Sequence, residues 1–281
     1  MKHAAQTDFT LLGENHDNPD HHRLQGWVIR NVAKQNRKPA IVLEMIEETR
    51  QSALDAYQRR PDADAAGLGA AVNWDDSGWP AWADYQPIAD AAFESGLPIV
   101  AGNPIKPGRG ASSRLKMITD ARRKALGADQ PLASWRQERL LGTIDAGHCG
   151  LVPKQHLTPM IAIQRVRDAV LADNLNKAAN QTSGSGAILI AGANHARNDF
   201  AVPLVLARLA PDATVLSLAF VEVDDSQTNP SDYAQSFNAK TVPFDYIWFT
   251  PRANDTDHCA DLKEKFSSYK TKPHAKKIKN K

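Results

Sequence analysis

Two histidines stand at the same place relative to a short apolar run. Residues 9–12 (Phe-Thr-Leu-Leu) lead into Gly-Glu-Asn-His at 13–16, and residues 187–191 (Ala-Ile-Leu-Ile-Ala) lead into Gly-Ala-Asn-His at 192–195. Short apolar runs of this kind are typical of buried strands, and the polar residues after each glycine indicate a loop. Either histidine alone would be interpreted as a cap of the next helix. The repeated pattern instead favours one site shared by His16 and His195.

A carboxylate stands at the end of a third apolar run. Residues 40–43 (Ala-Ile-Val-Leu) are followed by Glu44. The carboxyl ends of parallel strands meet at one edge of a sheet, where ligands collect. We therefore expect Glu44 to lie near His16 and His195. The alternative for Glu44 is an acid favoured by the dipole of the next helix.

Imidazole and carboxylate groups together suit divalent ions such as Zn or Mn. One hypothesis is therefore a divalent-metal-dependent hydrolase in which His16, Glu44 and His195 bind the ion, which lowers the pKa of a bound water. Glu14 or Glu44 would then act as general base, and His148 would steady the developing charge. A metal-independent site with His16 and Glu44 as acid and base is a further alternative.

Polar residues interrupt the apolar face of a helix predicted over residues 153–178. Gln164 and Asp168 fall on that face, and Arg167 lies beside it. Buried polar groups need partners, so these residues could orient the loop histidines. An internal ion pair between helices is the alternative. Asn103, after the strand at 97–101, is a further polar residue expected at the sheet edge.

Strands alternate with helices along the 281 residues, which predicts an α/β fold with a central, mainly parallel sheet flanked by helices. We expect one domain over 1–255, with a helical insertion at about 105–145 over the carboxyl edge of the strands. No apolar run approaches the length of a membrane span. The first strand begins almost at once, without the apolar core of a leader peptide, so we expect a cytoplasmic protein.

The basic character of the chain is concentrated at its end. Residues 261–281 hold eight lysines against two acids, whereas the formal charge of the whole chain is only +2. We therefore predict a disordered, basic tail over 256–281. The body carries no basic stripe interleaved with aromatics, which argues against a nucleic-acid partner. The two cysteines are too few for a disulfide framework and suggest a reduced protein. His21 and His22 are expected at the surface, and the alternative is that one of them faces the Gly-Glu-Asn-His loop.

With these residues laid out, the chain resembles the ChaN-like haem-binding uptake proteins of the Tiki superfamily. The hallmark of two Gly-x-x-His motifs with an acid falls on His16, His195 and Glu44. The matching pieces run in the same order over about residues 9–250: 12–16 with His21 and His22, 43–44, 79–85, 102–104, 147–148, 164–168, 191–197 and 246–249.

The resemblance implies an α/β domain, haem binding and a part in haem or iron handling. Candidate haem contacts are Tyr85, because phenolate is an axial ligand of haem iron, and His148 and Arg197, which could meet a propionate. The expected partner is haem or another small molecule, and a homodimer is a further hypothesis. Family members are often exported lipoproteins, whereas this sequence shows no lipobox. Related branches look like metal-dependent hydrolases.

Overall fold

A six-stranded parallel sheet forms the centre of the protein. The computed structural model describes residues 2–105 and 117–271, with side chains as far as residue 267. Within these residues the strand order is β3-β2-β4-β1-β5-β6, and every neighbouring pair is parallel. The predicted α/β class is thereby confirmed. The strands are β1 (Phe9–Glu14), β2 (Ala40–Glu47), β3 (Ile99–Asn103), β4 (Ala187–Gly192), β5 (Val215–Glu222) and β6 (Tyr246–Thr250).

Helices connect the strands and cover both faces of the sheet. The first begins after Asn18, whose side chain accepts a hydrogen bond from the Asp20 amide, with Pro19 at the first helical position. The described helices are α1 (Pro19–Ala33), α2 (Gln51–Gln58), α3 (Ala65–Ala71), α4 (Trp82–Ser95), α5 (Asp120–Ala125), α6 (Ser134–Gly147), α7 (Lys154–Asn180), α8 (Ala193–Ala196), α9 (Val202–Leu209) and α10 (His258–Thr271).

The two faces of the sheet contribute to separate apolar clusters. Leu12, Ile41 and Ile190 pack on the side of α1 and α4, whereas Leu11 and Leu189 pack on the side of α7 and α9. Because both faces are covered, β1 and β4 are buried along their whole length. The central strands are therefore held rigidly, and their carboxyl ends are fixed relative to one another.

The predicted helical insertion is described only in part, since residues 106–116 lie outside the described residues. Beyond them come α5 and α6, and α6 lies across from the strand ends, where Gly142 and Thr143 face Glu14 and Glu44 over a shared cleft. Among the described helices, none is both long and apolar enough to cross a membrane.

The cysteine prediction is wrong, because Cys149 and Cys259 form a disulfide. Cys149 belongs to the turn after α6, and Cys259 belongs to α10. The bridge therefore ties the C-terminal helix to the insertion. Residues 258–271, which were predicted as part of a disordered tail, are helical. The disulfide attaches this polar helix to the turn after α6. Residues 272–281 of the predicted tail lie outside the described residues.

We expect reduction of the disulfide, or the double substitution Cys149→Ala/Cys259→Ala, to lower the free energy of unfolding by about 2–4 kcal/mol. The cause is the freedom that the unfolded chain regains when two residues separated by 110 positions are released. Urea denaturation with and without dithiothreitol measures the effect. The double variant is the control, because its unfolding must not respond to the reductant. Equal stability of oxidised and reduced wild type would contradict the prediction.

Candidate functional site

The carboxylate of Glu44 joins the ends of three central strands. Its Oε2 accepts the backbone N–H of Gly192 at 2.7 Å and lies 3.9 Å from Nε2 of His16. Its Oε1 lies 3.3 Å from Nε2 of His195 and accepts a hydrogen bond from Arg167. The structure therefore brings His16, Glu44 and His195 together at the carboxyl edge of the sheet.

The glycines of the two Gly-x-Asn-His motifs allow this close approach. A Cβ atom on Gly13 would lie 2.8 Å from Cα of Ala193, and one on Gly192 would lie 2.8 Å from Nε2 of His16. Gly192 has φ −56° and ψ 141°, which any residue adopts. Each glycine is therefore needed because residues of the other motif pack against it, and not because the backbone turns sharply there.

Glu14 supports His16 from within the protein. Its Oε1 accepts hydrogen bonds from Nδ1 of His16 at 2.8 Å and from the Tyr85 hydroxyl at 2.9 Å. Nε2 of His22 lies 3.5 Å from Oε2, and the His22 ring stacks on Tyr85. Because a carboxylate oxygen accepts, Nδ1 of His16 carries the proton and Nε2 faces the cleft. Trp79 covers the other side, with its ring 4.6 Å from that of His16.

His195 is held between two carboxylates. Its Nδ1 donates to Oδ1 of Asp168 at 2.5 Å, and Gln164 lies 3.2 Å from the same nitrogen. Arg167 links the Glu44 carboxylate to the Asn103 side chain, whose Oδ1 is 3.4 Å from Nε. Gln164 and Asp168 of α7 therefore contact the loop histidine, and Arg167 contacts the carboxylate beside it.

Charges within the network shift its pKa values strongly. Burial alone would lower the pKa of His195, but Glu44 and Asp168 raise it to about 9. Burial alone would raise the pKa of Glu44 and of Glu14. His195 and Arg167 instead hold the pKa of Glu44 well below its ordinary value, and the hydrogen bond from His16 together with the nearby His22 ring lowers that of Glu14 to about 2. At neutral pH Glu14 and Glu44 are therefore ionised and His195 is protonated.

This network opens onto a cavity of about 1060 Å³, which we call the cleft and which is lined by both polar and apolar residues, among them Trp79, Phe220 and Phe237. The strand ends form its floor, α6 forms one wall, and the loop after β5 forms another. Its lining includes Glu14, His16, Glu44, Gly142, Thr143, Gln164, Arg167, Asn194, His195, Glu222, Tyr233 and Arg252.

An apolar cavity of about 650 Å³, which we call the slot, adjoins the cleft. The two cavities share Trp79, Gln164 and Arg167 as a common wall. The slot has a half-buried histidine and two arginines at its border. Its lining includes Met45, Ile46, Arg50, Val72, Trp74, Trp79, Asn103, Met117, Ile144, His148, Met160, Ile163, Gln164 and Arg167.

Two of the three candidate haem contacts are placed where they cannot reach a ligand. Tyr85 is 1% exposed, and burial together with Glu14 raises its pKa, so a phenolate ligand is disfavoured. Arg197 is fully buried and donates to Asp199, Thr143 and the Phe237 carbonyl. Tyr85 follows the helical stripe of a core residue, and the sequence does not show that Arg197 turns inward. His148, by contrast, lines the slot.

The expectation that His21 and His22 lie at the surface is wrong, because both are completely buried. Nδ1 of His21 accepts the Asn15 amide at 2.8 Å, and Nε2 donates to Thr250. Burial lowers the pKa of His21 to about 4, so this ring is neutral. Both residues lie in the first turn of α1, directly after the first motif, and this position could have indicated that they pack beneath that loop.

The donor set does not fit a bound Zn or Mn ion. In the described part of the chain, no three His, Cys, Asp or Glu side chains are arranged to hold a metal ion. Arg167 donates to the Glu44 oxygen that also faces His195. A guanidinium at this carboxylate competes with a cation for the same lone pairs.

Comparisons with known proteins agree with the sequence resemblance. The family model described as "Haem-binding uptake, Tiki superfamily, ChaN" matches residues 1–206. No curated protein matches the chain. The structure of ChaN from Campylobacter jejuni, described as showing cofacial haem binding, is 23% identical with a TM-score of 0.59, over 79% of this chain and 86% of that one. At this identity the likeness shows the fold.

Two more distant structures also match part of the chain. An erythromycin esterase variant has a TM-score of 0.42 at 15% identity, over 77% of this chain and 70% of its own. A succinoglycan biosynthesis protein has a TM-score of 0.47 at 10% identity, over 79% and 68%. Both are too distant to inform function.

We expect the substitution Asp168→Asn to lower the pKa of His195 from about 9 toward its ordinary value of 6.5. The amide keeps a hydrogen-bond acceptor but removes a negative charge that favours the imidazolium. NMR titration of the histidine ring signals between pH 5 and 10 measures this. Asp212→Asn, at an exposed position, is the control and must leave the titration unchanged.

The raised pKa of His195 predicts how the free energy of unfolding depends on pH. Because the pKa of His195 is raised on folding, its contribution is complete below pH 6.5 and is lost as the pH rises through about 9. The free energy of unfolding should fall less steeply over this range in Asp168→Asn than in wild type. Identical slopes would contradict the coupling between His195 and Asp168.

Proposed function

The chain belongs to the ChaN family of haem-binding uptake proteins in the Tiki superfamily, and on that premise we propose that it binds haem in the slot and serves in haem or iron handling. A haem site needs a wide apolar cavity, an axial ligand and cationic contacts for the propionates. The slot contains all three kinds of group, and its lining is more apolar than that of the cleft.

The walls of the slot suit a flat apolar ring. Trp74 and Trp79 contribute aromatic faces, and Met45, Met117 and Met160 add flexible, polarizable side chains. The volume of about 650 Å³ lies within the range of small-molecule and cofactor sites. These properties support a porphyrin as the ligand.

His148 is the residue that we assign to the iron, and this is the observation that carries the proposal. Its Nδ1 lies 2.7 Å from the Ile144 carbonyl oxygen. A carbonyl only accepts, so Nδ1 carries the proton and Nε2 keeps its lone pair. Metal-binding histidines are oriented in this way by a backbone carbonyl. When bound, the haem would supply an iron centre with redox and ligand-binding chemistry.

Arg50 and Arg167 border the slot and would receive the propionates. Arginine binds carboxylates in a bidentate manner. Arg167 already donates to Glu44, so its guanidinium is held in place before a ligand arrives. His148 thus takes the axial role and the two arginines take the role that the sequence gave to Arg197.

The disulfide supports an oxidising compartment as the place where the protein works, because such bonds are rare in reducing cytosol. We propose this location in place of the cytoplasm expected from the sequence.

We expect haemin to bind the purified protein with a saturable shift of the Soret band, and His148→Ala to weaken binding by about tenfold or more and to move the band. Loss of the axial nitrogen removes the iron–ligand bond while the apolar walls remain. His156→Ala, an exposed position in the first turn of α7, is the matched control and is expected to behave as wild type.

Two results would count against the proposal at different levels. Absence of saturable binding contradicts the haem function itself. Binding by His148→Ala with unchanged affinity and spectrum contradicts only the assignment of the axial ligand.

The second candidate function is metal-independent hydrolysis in the cleft. Nδ1 of His16 is fixed by Glu14, and its Nε2 faces the cleft, which is the arrangement of a general base that activates water. The protonated His195 would stabilise negative charge developing on a carbonyl oxygen. Glu44, which the sequence assigned as acid or base, instead holds these groups together.

If the cleft is hydrolytic, p-nitrophenyl acetate hydrolysis is expected to fall about 100-fold or more in His16→Ala and to persist in the presence of EDTA. His156→Ala is again the control. Equal rates in wild type and His16→Ala rule out this candidate without affecting the haem proposal.

A further inference from the structure

Three arginines line a third cavity that neither proposed function uses. This cavity, of about 260 Å³, lies between α7, α9 and the segment 127–136, and we call it the arginine cavity. Arg165 comes from α7, Arg208 from α9 and Arg136 from α6. Its remaining lining includes Gln130, Asp168, Phe200 and Leu204.

None of the three guanidinium groups is directly paired with a carboxylate in the described chain. Arg165 donates to the Gln130 carbonyl, Arg208 lies 3.5 Å from the Gln130 side-chain oxygen, and Arg136 donates to a backbone oxygen of Asp199 at 2.7 Å. None of the three forms an ion pair in the described chain, and residues 106–116 and 272–281 contain no Asp or Glu. Other arginines of the insertion, such as Arg122, are ion-paired.

Without a ligand, repulsion between the neighbouring guanidinium groups destabilises this arrangement. Burial lowers the pKa of Arg165; Asp129 and Asp168 oppose this shift, and Arg208 adds to it. Arg165 and Arg136 are half-buried, so solvent screens their charges less than those of surface residues. An anion in the cavity would relieve the repulsion and accept charge-assisted hydrogen bonds.

Asp168 on the same wall limits which anion fits. Its Oδ1 binds His195, and its buried Oδ2 has no hydrogen-bond partner among the described residues. A fully deprotonated anion would be repelled by this oxygen. An anion that still carries a proton can donate to it and satisfy it.

We propose that the arginine cavity binds hydrogen phosphate. The guanidinium groups of Arg136, Arg165 and Arg208 donate to its oxygens, and its hydroxyl donates to Asp168. The cavity, at about 260 Å³, has room for a small oxyanion. Because Asp168 also holds His195, the bound ion lies beside the hydrogen-bond network of the cleft, outside both the cleft and the slot.

Isothermal titration calorimetry of the full chain with inorganic phosphate at pH 7.5 tests the site, with sulfate at equal ionic strength as the second probe. We expect saturable phosphate binding, with affinity lowered about tenfold or more in Arg165→Gln and in Arg208→Gln, since each substitution removes a charge-assisted hydrogen bond. Sulfate, which has no proton to donate at this pH, is expected to bind about tenfold more weakly or not at all.

Arg60→Gln is the matched control, because Arg60 pairs with Asp62 on an exposed surface, and it must bind phosphate as wild type does. Arg208 is exposed, so Arg208→Gln keeps the test valid if Arg165→Gln fails to fold. Absence of phosphate binding, or equal binding by Arg208→Gln and wild type, overturns the proposal. Equal affinity for sulfate also overturns it, because Asp168 would then not select hydrogen phosphate.

Discussion

A single buried carboxylate sets the geometry of this protein's ligand-binding edge. Glu44 is 1% exposed, and a charge so deeply buried is tolerated only with several hydrogen-bond partners. Those partners come from separate elements: the Gly192 amide after β4, Arg167 on α7, and His195 on α8. These contacts fix the ends of the strands and α7 relative to one another.

The same arrangement divides the edge of the sheet into two compartments of different chemistry. Arg167 stands in their shared wall and presents charge to both the cleft and the slot. The histidine and glutamate side chains at the strand ends are thereby separated from the more apolar walls of the slot.

The sequence predicted the parallel sheet and the meeting of the two Gly-x-Asn-His loops, since parallel strands end at a common edge and the motif occurs twice. The helical stripe that contains Tyr85 did indicate a core position for it, but the sequence could not predict that Arg197 turns inward, because its partners Thr143 and Phe237 lie far away in the chain. Nor could two cysteines separated by 110 positions be paired without coordinates. Motif spacing reports local geometry, whereas burial and pairing depend on the whole fold.

A crystal structure of the protein soaked with haemin would show whether the slot, and not the cleft, is the haem site. We expect porphyrin density within the slot, with Nε2 of His148 on the iron and the Glu44 network intact beyond Trp79 and Arg167. Haem bound in the cleft, or held in the slot by a different protein ligand, would contradict this expectation.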